Sequence, residues 1–320
     1  MGKPLGLAAW IAPLGAAALV AALGTNDPAD VPYFISAARL LFSAHWADTF
    51  ADPSLQVGPL QLLFFGAGDR IAGLGLIAVA TEVGVAALVV LTVGRLLAGR
   101  PWRREAQLAV GLAAVALGVT ADAYGYGHPA QVAVPLVWIL AALEARSGRA
   151  VRSGALLGLG SGLELWGVLG LPVLLLAPTV RRAFVGLVTQ VAVTAALYLP
   201  FVLGGNFRMF DHRWKIEGWT LVHLLLGSGD FPWTLRVVQG AAAAAVGTGI
   251  AVALRRSSAA VWAVPLVVVG VRLLLDPTLY SWYWLGPETV ALIAAADVGT
   301  RLAAHRWRSP AMDRRATQLG

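Results

Sequence analysis

The chain has 320 residues, of which 58% are hydrophobic and only 13% are charged, and its mean hydropathy is +0.73. Since soluble domains carry roughly 25% charged residues, this composition excludes a water-soluble fold. The formal net charge is +7, but the arginines stand in short loops between apolar runs, which indicates membrane topology and not nucleic-acid binding. With no cysteine, the chain has no disulfide, thiolate metal site or cysteine nucleophile.

Eight apolar runs predict transmembrane helices, because about 20 residues of helix cross the hydrocarbon core of a bilayer. The predicted spans are Leu5–Leu23, Arg70–Leu97, Ala106–Ala121, Ala130–Leu143, Ala183–Leu203, Leu235–Leu254, Ala259–Leu275 and Trp284–Leu302. The first run follows Lys3 and also resembles a signal peptide that ends near Leu23. The many later spans favour an uncleaved anchor.

A ninth apolar segment, Gly154–Pro178, is predicted to enter the membrane and return on the same side. Arg149 and Arg152 precede it, and Arg181 and Arg182 follow it. Two short half-helices are possible because of Gly158, Gly160, Gly162, Gly167, Gly170 and Pro172, provided that the turn is buried or lines a cavity. The expected fold class is therefore all-α, a polytopic bundle of about eight spans plus a re-entrant helical hairpin.

The loops divide into two groups by charge. Arginine-rich connections at 100–105, 144–152, 181–182, 255–256 and 301–315 alternate with loops at 25–69, 122–129, 204–233 and 276–283. The positive-inside rule makes the first group cytoplasmic, so both termini are predicted to lie inside at the plasma membrane. We expect a single domain over residues 1–308 and a basic cytoplasmic tail over 309–320.

The first outer loop contains an amphipathic segment. Its apolar residues recur at helical spacing and predict an outer juxtamembrane helix along the membrane surface. They are Val31, Phe34, Ile35, Ala38, Leu41 and Phe42.

Two carboxylates, Asp27 and Asp30, emerge just beyond the first span. A carboxylate here can act as a general base. Asp30 also stands two residues before Pro32, at the start of the amphipathic segment, where an N-cap is expected. Spacing alone favours the cap, and one residue can fill both roles.

Three more outer segments collect polar and aromatic residues. Tyr126 and His128 stand in a turn that suits either sugar binding or an interfacial aromatic belt. The next loop mixes aromatics with Arg208, Arg213 and Lys215, which suit an oxyanion such as phosphate, or simply form a solvated interfacial helix.

The last outer segment carries Arg272, Asp276, Tyr280 and Tyr283. Arg272 and Asp276 have the i,i+4 spacing of an ion pair. A charge inside the membrane is nevertheless a functional hypothesis by default, and the same holds for Glu164 in the re-entrant segment. The sequence contains no P-loop, zinc-protease motif, nucleophile elbow or dinucleotide fingerprint, and its histidines are not spaced as metal ligands.

The order of these motifs resembles the GT-C superfamily of polytopic glycosyltransferases, which use polyprenyl-phosphate-linked sugars on the outer membrane face. The resemblance covers most of the chain. It rests on Asp30–Phe34, Gln56–Leu60, Gly127–Pro129, the glycine-rich Gly154–Pro172, Leu199–Phe201 and Pro277–Pro287. The family's basic residue is missing from the re-entrant stretch, where Glu164 stands instead.

The resemblance implies a mannosyltransferase-like enzyme that moves a sugar with inversion onto a glycan or glycolipid hydroxyl. Asp30 matches the family's general base, and Asp27 is the reserve. The donor is a polyprenyl-phosphate sugar, with no cofactor, no assigned metal and no nucleic acid. The implied substrate-binding residues are Tyr33, Tyr126, His128, Arg208, Arg213, Lys215, Arg272, Tyr280 and Tyr283.

Two alternatives remain open from the sequence. The first is a transporter or lipid-linked-sugar flippase in which Arg272, Asp276 and Glu164 line a pathway. Paired inverted halves are not visible, and the polar residues concentrate outside the spans, which argues against transport. The second alternative is a non-catalytic assembly subunit of the cell envelope.

Overall fold

The structure is a computed structural model that describes residues 4–24 and 28–307. The α-helices are α1 (Pro4–Leu23), α2 (Val31–Leu41), α3 (Pro59–Ala72), α4 (Leu74–Leu96), α5 (Arg103–Ala116), α6 (Val119–Gly125), α7 (Ala130–Arg146), α8 (Ala150–Leu163), α9 (Val180–Gly204), α10 (Leu221–Leu226), α11 (Trp233–Ala253), α12 (Ala260–Leu274) and α13 (Leu285–Trp307). Short 3₁₀ helices cover Trp46–Asp48, Leu165–Leu176, Met209–Asp211 and Ser281–Trp284. Strands β1 (Arg213–Lys215) and β2 (Asp230–Pro232) pair antiparallel, with Trp214 opposite Phe231. The predicted all-α class is confirmed.

Within the described residues, 4 helices are long and apolar enough to cross a bilayer, and a bent pair raises the number to 5. The four are Leu5–Leu23, α4, α9 and α11, and the pair is α5 with α6, which meet at 44°. Gly118 permits this bend because its φ of 80° is accessible to glycine. Apolar helices of this kind suit a lipid bilayer, so the molecule is a membrane-embedded protein.

The predicted count of eight spans is not confirmed. The predicted span Arg70–Leu97 is present as α4, but it begins only after Gly73, whose φ is 74°, because residues 70–72 belong to α3. Helices α7 and α12 have only 17 and 15 residues. Helix α13 has 23 residues but carries charged side chains along its length, among them Glu288, Asp297 and Arg301.

The segment predicted to be re-entrant forms a hairpin, which we call the α8 hairpin and which comprises α8 and the 3₁₀ helix Leu165–Leu176. The chain turns at Glu164, which is extended with φ −147° and ψ 140°. The turn is tight because a Cβ at Gly167 would lie 2.4 Å from the backbone of Gly160. The start of α8 and the end of the 3₁₀ helix lie close together beside α9, since a Cβ at Gly186 would lie 2.8 Å from the side chain of Leu174 and 3.4 Å from the carbonyl oxygen of Ala150.

The arginine-rich loops meet at one end of the bundle. Arg95 binds Glu144 at 2.6 Å, and Arg149 binds the same carboxylate. Asp297 binds both Arg100 and Arg301, and Arg255 donates to the carbonyl of Ala177 at 2.9 Å. Through these contacts, loop 100–105 meets loop 301–315 at Asp297, loop 144–152 meets the end of α4, and loop 255–256 meets the segment just before 181–182.

The other loops meet at the opposite end. The amide of Ala29 donates to the carbonyl of Gly125 at 2.8 Å, Gln56 donates to Met209 at 3.1 Å, and the amide of Glu217 donates to Pro277 at 2.9 Å. The division of the loops into two groups is therefore present in the fold.

Helix α2 forms as the amphipathic pattern predicts, but its apolar face does not lie on the membrane surface. Val31, Phe34, Ile35 and Ala38 are buried, and Phe34 stacks on Phe65 of α3 with ring centroids 5.9 Å apart. This packing fixes the residue that precedes the helix, Asp30.

Candidate functional site

A cavity of about 990 Å³ lies at the end of the bundle where the polar loops meet. Helix α2, the α8 hairpin, α11 and the connection between α12 and α13 form its walls. Charged and polar side chains reach it from these walls, from the start of α7 and from the end of α12. They include Asp30, His128, Gln131, Glu164, Arg236, Gln239 and Arg272.

Asp30 stands at the N-cap position of α2, but its side chain makes no capping hydrogen bond. Its Oδ2 lies 2.9 Å from Nε2 of His128, and 42% of its side chain is exposed on the cavity wall. The two loops approach closely at Gly127, where a Cβ would lie 3.0 Å from the amide nitrogen of Val31. The cap expected from spacing is therefore not the role of the Asp30 carboxylate.

His128 is fixed between two aromatic rings. Its imidazole stacks on Trp282 with centroids 4.9 Å apart and planes within 3°, and it meets Phe34 edge-on at 5.4 Å. Burial lowers the pKa of His128, but the hydrogen bond to Asp30 and the negative charges of Asp30 and Glu164 outweigh burial and raise the pKa overall. The arrangement suits an imidazolium held between two carboxylates.

Glu164 occupies the turn of the α8 hairpin, where the resemblance led us to expect a basic residue. Its Oε1 lies 3.7 Å from Nδ1 of His128. Its Oε2 accepts hydrogen bonds from Nε2 of Gln131, at 2.8 Å, and from the indole of Trp166. The side chain is 6% exposed, so these donors replace the water that a buried carboxylate loses.

Arg272, near the end of α12, supplies a cation to the cavity wall. Its guanidinium lies 4.4 Å from the ring centroid of Trp166 and 5.0 Å from that of Tyr283. The residue is only 6% exposed, and no side chain or carbonyl in residues 4–24 and 28–307 accepts a hydrogen bond from it. A cation that lines a cavity and has no carboxylate partner among the described residues suits an anionic ligand.

The ion pair predicted between Arg272 and Asp276 is wrong. Asp276 is fully buried and binds Arg236 of α11 at 2.6 Å instead. Arg236 also donates to Gln239 at 2.8 Å and lies 4.2 Å above the ring of Trp214. Sequence reasoning missed Arg236 because it stands at the start of an apolar run, although a charge there was itself a signal.

Three predicted tyrosines lie at the cavity. Tyr33 donates to Asp52 at 2.9 Å, Tyr280 stacks on Trp282 at 4.4 Å, and Tyr283 lies under Arg272. Tyr126 packs behind Trp282, with centroids 5.4 Å apart, and does not line the cavity.

The three other predicted cations do not line the cavity either. Arg208 binds Asp211 at 2.9 Å on the surface, and β1 holds Arg213 and Lys215 with their side chains exposed. The reserve base Asp27 and the basic tail lie outside the described residues.

The fold and the cavity define a membrane-embedded all-α protein with an acid–histidine–acid chain and an unpaired arginine in one polar cavity. Comparison of the chain with protein-family models, with curated proteins and with solved structures gave no match. The function therefore has to be argued from the site.

Proposed function

We propose that this protein is a membrane glycosyltransferase that moves a sugar from a polyprenyl-phosphate donor to an acceptor hydroxyl, with inversion. The observation that carries the proposal is that one cavity holds both the Asp30 carboxylate and the Arg272 cation, which is bound by no carboxylate of the described residues. Such a reaction needs a base for the attacking hydroxyl and a cation for the departing phosphate. The cavity offers both.

In the proposed step, the acceptor oxygen attacks the anomeric carbon of the donor sugar while its proton passes to Asp30. The bond between that carbon and the phosphate oxygen breaks, and its electron pair leaves with the polyprenyl phosphate. Asp30 uses Oδ2 for His128, and Oδ1 accepts no hydrogen bond from the described residues, so Oδ1 is the oxygen available to the acceptor.

His128 and Glu164 position the base. The imidazole is held by its stack on Trp282 and by the carboxylates at its two nitrogens, so it fixes the orientation of Asp30. In many enzymes a catalytic group is held in its orientation by a further residue in the same way. In this proposal Glu164 acts through His128 and does not touch the substrate.

The walls of the cavity suit a lipid-linked donor. Leu165, Val168 and Leu171 of the α8 hairpin line the cavity and also an apolar space of about 340 Å³ between the hairpin and α9. An apolar chain leaving the cavity along this side would stay among aliphatic side chains. A donor anchored in lipid also suits catalysis at the outer face of the plasma membrane, with both termini cytoplasmic as the arginine-rich loops predict.

The test is transfer from polyprenyl-phosphate mannose or arabinose in membranes that hold equal amounts of wild-type protein, Asp30→Asn or Asp48→Asn. Loss of a general base lowers the rate by roughly 10²- to 10⁴-fold. Asp48 is an exposed carboxylate of the same loop that does not line the cavity, so its substitution should leave transfer unchanged. Full activity of Asp30→Asn would refute the assignment, and uptake without transfer would favour a transporter.

A further inference from the structure

We infer that the segment from β1 to β2, residues 213–230, is a membrane seat that rests in the interfacial layer of the same bilayer that the spanning helices occupy. The segment contains the short helix α10, whose outward face is entirely apolar. Leu224, Leu225 and Leu226 are 80%, 66% and 55% exposed, and Trp219 is 65% exposed. Apolar area of this kind on a protein surface marks a contact with a partner or a membrane.

The position of α10 identifies the bilayer as that partner. Val222, on the inner face of α10, packs with Trp214 and Phe231, and this cluster rests on Trp233 and Leu235. These two residues form the first turn of α11, a helix of membrane-spanning length. Since the end of a span lies at the membrane interface, α10 lies at that depth.

The exposed apolar surface also continues along α11 into the predicted span. Val238, about one turn further along the helix, is 62% exposed and does not line the cavity. The surface of α10 is therefore an extension of a surface that already faces lipid.

The distribution of charge fits the interface. Residues 218–229 contain no Asp, Glu, Lys or Arg, whereas the exposed side chains of Arg213 and Lys215 stand just before them on β1. Interfacial segments place tryptophan and leucine at the boundary of the acyl chains and basic residues at the lipid phosphates. Arg213 is therefore the exposed cation that we assign to the lipid phosphates, whereas Lys215 is bound to Asp230 of β2 at 2.5 Å.

The membrane seat is joined to the cavity wall. Glu217 donates its amide to the carbonyl of Pro277 at 2.9 Å, and its carboxylate accepts from the amide of Leu279 at 3.2 Å. Tyr280 and Trp282 follow directly and line the cavity. The seat therefore sets the height of the cavity mouth relative to the lipid headgroups, whatever reaction the cavity performs.

The absence of cysteine makes the test direct, because one introduced cysteine carries one spin label. Leu224→Cys would be labelled with a nitroxide in nanodiscs of phosphatidylethanolamine and phosphatidylglycerol, and collision with oxygen would be compared with collision with a water-soluble nickel chelate. Leu203→Cys, at the exposed end of α9, provides the lipid reference. Glu105→Cys, exposed in the first turn of α5, provides the aqueous reference.

We expect the label at Leu224 to favour oxygen over the nickel chelate as the label at Leu203 does, and Leu225→Cys to behave alike. A preference for the nickel chelate at both positions, as at Glu105, would overturn the inference. So would dipolar coupling between labels on separate chains combined with poor access to oxygen, because a second copy would then cover the leucines. Neither result depends on transfer activity, so the seat and the proposed function fail independently.

Discussion

Arg236 and Arg272 both line the cavity, but only Arg236 is bound by a carboxylate of the described residues. This difference yields the sharpest prediction. Arg272 has no acceptor among the described residues, whereas Arg236 is bound to the buried Asp276 at 2.6 Å. Substitution of Arg272 by Met keeps the length of the side chain and its packing against Trp166 but removes the cation. We expect transfer to fall and stability to stay level or rise.

The magnitudes follow from the two environments. Hydrogen bonds to a charged group contribute about 1.5–3 kcal/mol, so losing them to a leaving phosphate slows transfer ~10- to 150-fold at 1.36 kcal/mol per tenfold. Removing an unpaired buried charge relieves its desolvation cost, and this relief offsets the lost cation–π contacts of about 0.5–2 kcal/mol. The Arg236→Met variant leaves Asp276 buried without its partner, which costs roughly 3–5 kcal/mol of folding stability.

The assay measures both quantities on the same preparations. Each variant is purified in detergent, its thermal unfolding is recorded, and it is reconstituted for transfer from a polyprenyl-phosphate sugar. Arg272→Met should lose transfer while unfolding like the wild type, and Arg236→Met should unfold at a clearly lower temperature. If Arg272→Met also unfolded at a lower temperature, Arg272 would be a structural residue. If Arg272→Met transferred sugar at the normal rate, Arg272 would not bind the leaving phosphate.

Three further predictions concern the elements that hold the site. The raised pKa of His128 implies a contribution to folding stability that is fully present below the ordinary histidine pKa of about 6.5 and is lost as the pH rises through the pKa of the folded state. In the His128→Gln variant, the curve of unfolding temperature against pH should therefore be flatter in this range. Glu164→Gln removes one of the two carboxylates that raise this pKa, so the loss should be smaller and complete at lower pH, and an unchanged profile would contradict the contact. Gly167→Ala places a Cβ 2.4 Å from the backbone of Gly160 and should lower the unfolding temperature and transfer, whereas Gly249→Ala meets nothing within 4 Å and should leave both intact or raise stability.

The sequence predicted those parts of the fold that depend on local pattern. Composition indicated the membrane class, the arginine runs grouped the loops that meet at one end, and the flanking arginines and internal glycines indicated a hairpin at Gly154–Pro178. The number of spans is different, because it depends on helix ends and bends. The sequence does not distinguish Gly73 and Gly118, at which helices break, from the many glycines that lie inside helices of this chain.

The site was predictable only in part, for a related reason. Asp30 and His128 were each marked by residue type, but they are 98 residues apart, and their contact requires the close approach at Gly127. The pairing of Arg272 with Asp276 was a local inference from helical spacing, and it failed because Arg236 reaches Asp276 from another helix. Only packing decides which of two cations binds a buried carboxylate.

The same ion pairs bear on whether the cavity suits transfer or transport. A transport pathway has to continue through the bundle toward the arginine-rich end. There, Glu144 binds Arg95 and Arg149, and Asp297 binds Arg100 and Arg301, so the loops are joined by paired charges. These carboxylates are almost entirely buried, and separating such pairs leaves charges without partners at roughly 3–5 kcal/mol each. Alternating access would have to break them in every cycle, whereas a transferase needs only the cavity at the opposite end, which both Asp30 and Arg272 line.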